Sequence, residues 1–378
     1  MKGNYFDCAA TTRVDRDIQS IVDLYNSMEY YNPSANYLPS VALHTKIEEV
    51  RAGILRRLKG FNGDLYFLSS GTEADNQALF CSKKRKRGNI VVSAAEHPAV
   101  YRSAVALQNL GYELRFCPVD GAGRVLKQDF AKLIDEDTVL VSVMHVNNET
   151  GGINPIADLV KGAKSVNPHL LFHSDGVQAL GKIPLNLAEL DVDLYSMSGH
   201  KIGAPKGIAA LYVKKGVSLS PLLYGGGQED GMRSSTENVS GIMSFDAAVT
   251  RAVAELPENS EKYRSFIKIL RGKLAALSDV RIISDEGCSP HVFTFAFRTV
   301  RGEVMQHALE SEGFYVGTGS ACSARRSHDR IPNALGLKEY SDGVLRISFG
   351  RENTTEQAEA LGDALLRNYE VLKKYVGK

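Results

Sequence analysis

The chain contains no tryptophan, and its five cysteines, Cys8, Cys81, Cys117, Cys288 and Cys322, show no CxxC spacing and no even disulfide framework. A clustered metal site is therefore not expected, and neither is a disulfide scaffold. Such thiols suit a reducing cytoplasm, in which at least one can stay reactive. An excess of either charge is also missing, with 45 basic residues against 44 acidic ones. That balance gives no motive for direct nucleic-acid binding or for an acidic disordered tail. The one basic run, Lys83-Lys84-Arg85-Lys86-Arg87, precedes Gly88 and reads as a solvated helix C-terminus, where cations suit the helix dipole. No apolar run approaches the roughly 20 residues that cross a bilayer. The N-terminal stretch carries Asp7, Arg13, Asp15 and Arg16 and lacks the apolar core of a signal peptide. A cytoplasmic protein without membrane contact is expected.

What is present suits a globular protein. With 378 residues, 43% hydrophobic and 24% charged, the chain is long for one core and comfortable for two. From about Asp64 to Val213, short apolar runs alternate with helical stretches. Candidate strands are Leu65–Leu68, Ile90–Val92, Leu114–Phe116, Val139–Val143, Leu170–His173, Leu194–Met197 and Ile208–Val213. Helices are predicted between several of them, at Glu73–Lys83, Pro98–Leu110 and Lys127–Ile134. The alternation implies an α/β fold, a mainly parallel sheet with helices on both faces. Beyond Asn238 the pattern changes to a long helical stretch broken at Pro257, a helix over Arg264–Leu277, strands at His291–Phe297 and Val344–Phe349, and a final helix from about Thr355. The expected division is a large domain over residues 14–250, and a smaller α+β domain over 1–13 and 251–378 that carries Cys322.

Sheets of this kind bind ligands beyond the carboxyl ends of their strands. Asp175 and Lys201 each fall just past a predicted strand there. A lysine and a carboxylate so placed can serve the two ends of one ring: pyridoxal phosphate needs an amine to hold it as a Schiff base and a carboxylate to keep its pyridine nitrogen protonated. An Asp and a Lys near strand ends are more often structural, but the flanks alter the balance. Lys201 stands in Ser198-Gly199-His200-Lys201 and is followed by Gly203-Ala204-Pro205-Lys206-Gly207, small residues that let a flat ligand approach the backbone. Gln178, three residues after Asp175, returns to its side if a helical turn begins here, and can donate to the ring's phenolic oxygen. Ser69-Ser70-Gly71-Thr72-Glu73-Ala74 offers a strand end, a glycine, a hydroxyl and a helix start. It reads both as a capped helix N-terminus and as a phosphate site.

Seven segments, in order, then resemble the NifS/IscS cysteine desulfurases, fold-type I pyridoxal-phosphate enzymes of class-V aminotransferase type. They are Phe6-Asp7-Cys8-Ala9-Ala10-Thr11-Thr12, Ser70-Gly71-Thr72-Glu73-Ala74-Asp75-Asn76, Glu96-His97-Pro98-Ala99-Val100, Met144-His145-Val146-Asn147-Asn148-Glu149, Ser198-Gly199-His200-Lys201, Gly225-Gly226-Gly227-Gln228-Glu229 and Gly319-Ser320-Ala321-Cys322. The resemblance implies that Lys201 holds the cofactor and moves protons at the substrate carbon, and that Asp175 pairs with the pyridinium. It sets Gln178 and Asn148 near the phenolic oxygen, and it stacks His97 on the ring as a further catalytic residue that moves protons. Gly71, Thr72, Ser198, Gly199 and His200 hold the phosphate side, joined by Thr236 from the other subunit of a homodimer. Arg346, with Asn148, binds the carboxylate of L-cysteine as a fork.

Cys322 is the implied nucleophile, in a run of small residues with Arg325 and Arg326 nearby to favour the thiolate. It would take sulfur as a persulfide while alanine leaves, then pass it to an acceptor protein for iron–sulfur clusters, tRNA thiolation or a thio-cofactor. No resident metal is implied, although Cys322 could transiently ligate a cluster together with a partner. The long stretch from Cys322 to Arg346 resembles the family branch that hands sulfur directly to its partner. Cys81, Cys117 and Cys288 read as small buried hydrophobes. Departures from the pattern are Arg13 where a proline is usual, Cys8 at a position that is usually not cysteine, and a different residue ahead of the Thr in Ser69-Ser70-Gly71-Thr72. The alternatives are a selenocysteine lyase or another fold-type I aminotransferase or lyase, which share the cofactor residues, and a non-catalytic protein that uses Cys322 as a cluster ligand.

Overall fold

The computed structural model describes residues 4–80, 88–318 and 330–375. Its strands are β1 (Asn4–Phe6), β2 (Gly63–Leu68), β3 (Asn89–Ser93), β4 (Glu113–Cys117), β5 (Thr138–Ser142), β6 (Leu171–Asp175), β7 (Leu194–Ser198), β8 (Ala209–Lys214), β9 (Val280–Ile282), β10 (Val292–Phe297), β11 (Phe314–Thr318) and β12 (Val344–Ser348). The helices are α1 (Arg16–Ser27), α2 (Leu38–Arg57), α3 (Gly71–Phe80), α4 (Pro98–Asn109), α5 (Lys127–Leu133) and α6 (Ile156–Val166), then α7 (Leu187–Leu190), α8 (Val239–Ala254), α9 (Leu256–Leu274), α10 (Gly302–Ser311), α11 (Arg330–Ala334) and α12 (Thr355–Leu372).

Seven strands form one sheet in the order β2-β8-β7-β6-β5-β3-β4. All its pairings are parallel except the two made by β8, which runs antiparallel to β2 and β7. The apolar runs read in the sequence are its strands, and they are apolar because both faces are covered. Along β3 the side chains alternate between two cores. Val91 joins Phe67, Phe172 and Tyr195 with α1, α2 and α8, while Ile90 and Val92 join Leu140 and Leu194 with α3 and α4.

The second sheet has the order β1-β11-β12-β10-β9. Its core is aromatic: Phe293, Phe295 and Phe297 of β10 pack with Phe266 and Leu270 of α9 and with Leu361 and Leu365 of α12. Each fully buried Phe contributes about 1.5–3 kcal/mol of transfer free energy. The first described residues complete this sheet, because β1 pairs in parallel with β11, Phe6 lying opposite Val316. Among the described residues, no helix is long and apolar enough to cross a membrane.

Two departures from the sequence-based boundaries have a bearing on the fold and the site. The helical stretch breaks at Glu255, not at Pro257, and α9 runs unbroken from Leu256 to Leu274. Pro257 sits in the first turn of α9, where its missing N–H has no helical partner to lose. Asp175 is the last residue of β6, not a residue beyond it. Cys81, the basic run at 83–87, Cys322, Arg325 and Arg326 lie outside the described residues.

Candidate active site

A cleft of about 450 Å³ opens at the carboxyl ends of β6 and β7. It gathers Gly71, Thr72, His97, Asn148, Asp175, Gln178, Ser198, His200, Lys201 and Arg346 around one space. Gly199 is buried beside it, its α-carbon facing Ala204, Ile208 and Phe245 so closely that a β-carbon would meet the first two at 2.9 Å. Thr236 is exposed on the chain before α8 and does not line the cleft.

Asp175 forms the floor. Its Oδ1 accepts from the Val177 amide at 2.9 Å, and burial raises its carboxyl to about 6 against the pull of that hydrogen bond and of Lys201. A hydrogen-bonded turn follows, Leu180 N to Gly176 O at 3.0 Å, and carries Gln178 back toward the cleft. The Gln178 amide is fixed from behind: Nε2 donates to Ala9 O at 2.9 Å, and Oε1 faces His291 Nε2 at 3.1 Å. Lys201 ends a single 3₁₀ turn, Gly199–Lys201, that directly follows β7. Its ammonium donates to the carbonyls of Ala9 (2.6 Å) and Ala10 (2.7 Å). The segment after β1 thus forms a wall of the site, and Thr11 Oγ1 meets His200 Nδ1 at 3.1 Å in the same wall.

His97 caps α4, its Nδ1 accepting from Ala99 N at 3.2 Å ahead of Pro98 in the first helical turn. That acceptor role puts the ring proton on Nε2. Burial lowers the imidazole to about 4, with Lys201 and Arg330 adding to the effect, so the ring is neutral near pH 7. Arg346 reaches in from β12, with Nη1 donating to Asn148 O at 3.1 Å and Nη2 to Asp7 Oδ1 at 2.8 Å.

The α3 start is a capped helix N-terminus that also lines the cleft. Ser70 Oγ caps the helix, accepting from Glu73 N at 3.1 Å, and the same turn opens onto the cleft. A β-carbon on Gly71 would stand 2.9 Å from Val177 Cγ2 and 3.6 Å from Ser198 Cβ, so only glycine leaves this end open. Ser198 Oγ is buried there without a hydrogen-bond partner among the described residues, an unsatisfied hydroxyl that calls for an acceptor from a ligand. An anion at the α3 N-terminus, a ring above Asp175 and an amine-reactive carbon at Lys201 therefore fit this donor set.

Sequence reasoning gave no role to Asp7, Asp75, Glu96 or Glu149, although all four lie in the matching segments. Three of them face the cleft, and Asp7 reaches it through Arg346. Glu96 accepts from Ser93 Oγ (2.6 Å) and Met144 N (2.8 Å) through Oε1, and burial raises its carboxyl to about 8. The described cysteines are poor nucleophiles, burial pushing Cys8 up to about 11 and Cys117 and Cys288 to about 12. Cys288 is only partly buried, in a turn beside Asp285.

Residues 4–361 match the family described as aminotransferase class-V. A protein named cysteine desulfurase IscS from Clostridium botulinum is 34% identical over 96% of this chain and 93% of its own length. One of the same name from Dictyoglomus turgidum is 35% identical over 98% of this chain and 95% of its own. The solved structure of a NifS-like protein superposes with a TM-score of 0.91 at 32% identity, covering 98% of this chain and all of the other. The chain belongs to the class-V aminotransferase family, within its IscS/NifS cysteine desulfurase group.

Proposed function

We propose that this chain is a pyridoxal-phosphate-dependent cysteine desulfurase that moves the sulfur of L-cysteine onto its own Cys322 and releases alanine. The observation that carries this reading is the cleft that sets Lys201, Asp175, His97 and Arg346 around one space. Family membership supports it. Asp175, Gln178, His97, Lys201 and the α3 N-terminus would hold the cofactor, with Thr72, Ser198 and His200 on its phosphate side. When bound, that group supplies an electron sink at the substrate α-carbon.

The residues divide the remaining work. Arg346 binds the substrate carboxylate and thereby orients the α-carbon toward Lys201. Lys201, once free as an amine, takes the α-proton, and neutral His97 neither repels a cationic substrate nor competes for that proton. The Cys322 thiolate attacks the substrate sulfur, so one S–S bond forms as the C–S bond breaks. The products are alanine and a persulfide, and no outside oxidant is consumed. We take residues 14–250 as the cofactor domain, with 1–13 and 251–378 as the second domain.

The protein acts as a homodimer in this proposal, Thr236 reaching the partner's phosphate site. Its exposure outside its own cleft supports that role, as do the exposed Tyr30, Tyr37, Leu38 and Tyr224. The sulfur then passes to an acceptor protein of iron–sulfur assembly, tRNA thiolation or thio-cofactor synthesis, in the cytoplasm.

The test is Cys322→Ser in the intact protein. It should bind the cofactor and L-cysteine as wild type does, yet form no added-sulfur peptide by mass spectrometry and release alanine at least about 10²-fold more slowly. Wild-type alanine release by this variant would place the nucleophile elsewhere.

A further inference from the structure

Arg346 is already counter-charged before any substrate arrives. Its Nη2 donates to Asp7 Oδ1 at 2.8 Å, and Glu149 Oε2 stands 3.6 Å from its Nη1. One guanidinium, its side chain 6% exposed, thus faces two carboxylates. The carboxylate of a substrate would be the third. Like charges crowded in a buried place disfavour joint ionisation, so a third carboxylate on this guanidinium favours the neutralisation of one of the two already there.

The two resident carboxylates are not equivalent. Asp7 is hydrogen-bonded to Arg346 through Oδ1, so a proton on it would weaken a charge-assisted contact. Glu149 Oε1 accepts from Asn148 Nδ2 at 2.9 Å, whereas Oε2 is buried and receives no hydrogen bond among the described residues. Nor can Glu149 swing away with its backbone, because its carbonyl accepts from Thr294 Oγ1 of β10. A proton on Oε2 breaks no hydrogen bond among the described residues and gives up only the longer ionic contact to Arg346.

We propose that Glu149 is a proton-coupled placeholder: its carboxylate balances Arg346 in the empty site and takes up one proton as the substrate carboxylate docks. This rests on the reading of Arg346 as the carboxylate anchor. The only bond made in the step is O–H on Glu149, the proton comes from solvent, and nothing is oxidised or reduced. The charged groups around Glu149 are Arg346 from β12, Asp7 from the segment after β1, Lys201 from the turn after β7 and Arg330 from α11. Burial already raises the Glu149 carboxyl, opposed first by Arg346 and reinforced by Asp7. A third carboxylate at Arg346 raises it further.

The probe is propionate, which carries the carboxylate of alanine without its amine and so reports on Arg346 alone. Its inhibition constant against L-cysteine turnover is measured with the holoenzyme between about pH 6 and 8. Calorimetry in two buffers of different ionisation heat counts the protons taken up. In the wild type the constant should weaken by up to about tenfold per pH unit, with uptake approaching one proton. Glu149→Gln should bind propionate about tenfold tighter at the upper end and lose the pH dependence. A flat wild-type profile without proton uptake overturns the placeholder and needs no variant to fold. Arg346→Gln separates the two ideas. If it binds propionate as the wild type does, the anchor is wrong and the placeholder falls with it. If it loses propionate while the wild type takes up no proton, only the placeholder falls.

Discussion

An oxygen of Asp75 lies within 4.8 Å of an oxygen of Asp175 in the buried floor of the cleft. Burial raises both carboxyls, and the charge of Asp175 pushes Asp75 higher still. We therefore expect the pair to share one proton near pH 7, held on Asp75. Asp75→Asn then preserves both shape and charge, and should keep cofactor content and turnover within about threefold. Asp175→Asn removes the charge that the proposed cofactor site sets against the pyridine nitrogen, and should cost about 10²–10⁴-fold. Cofactor absorbance and alanine release from the two variants check this, and a larger loss from Asp75→Asn than from Asp175→Asn would put the proton on Asp175.

The Lys201 side chain lines the cleft rather than a hydrophobic core, and its ammonium donates to the carbonyls of Ala9 and Ala10. Lys201→Ala should therefore fold with an unchanged circular dichroism spectrum. We expect it to lose the covalent link that borohydride fixes, together with about 10³-fold or more of its turnover. A borohydride-fixed cofactor on the variant would move the anchor to another lysine.

Glu96 makes a pH-dependent prediction for the protein without cofactor. Its carboxyl is raised to about 8 by burial, so the folded state holds this proton more tightly than the unfolded state. The resulting stability is complete below the ordinary carboxyl range and is lost as pH rises toward 8. Glu96→Gln keeps an Oε1 acceptor for Ser93 and Met144 and cannot ionise. Its Tm relative to wild type should climb between about pH 5 and 8, by roughly 2–4 °C per kcal/mol regained. A difference that stays constant over that range would refute the assignment.

The central strands were legible because Ile90, Val91 and Val92 are buried on both faces and so cannot be polar. Helix α2 was not, since Leu38 and Val41 are exposed while Leu43, Ile47 and Ile54 are buried, which blurs the helical period. Strand β1 has three residues, and its partners lie at Phe314–Val316, so no local pattern announces it. The same distinction runs through the site. Lys201 and Asp175 stand at strand ends flanked by small residues, a signal contained in each segment. The Arg346–Asp7–Glu149 cluster joins three distant segments, and its meaning arises only where they meet.

The parallel pairing of β1 with β11 has a consequence for synthesis. The ribosome makes Asn4–Phe6 first, but the edge that receives them is finished only when Phe314–Val316 have emerged. Until then the following residues, including the Ala9 and Ala10 carbonyls that receive Lys201, have no sheet to hold them in place. Non-local pairing of this kind is slow, and it leaves an unpaired segment exposed in the meantime. The large sheet can form around its own helices well before that point. The nascent chain therefore passes through a stage in which the cofactor floor exists and its wall does not, and the catalytic cleft is among the last parts of the protein to close.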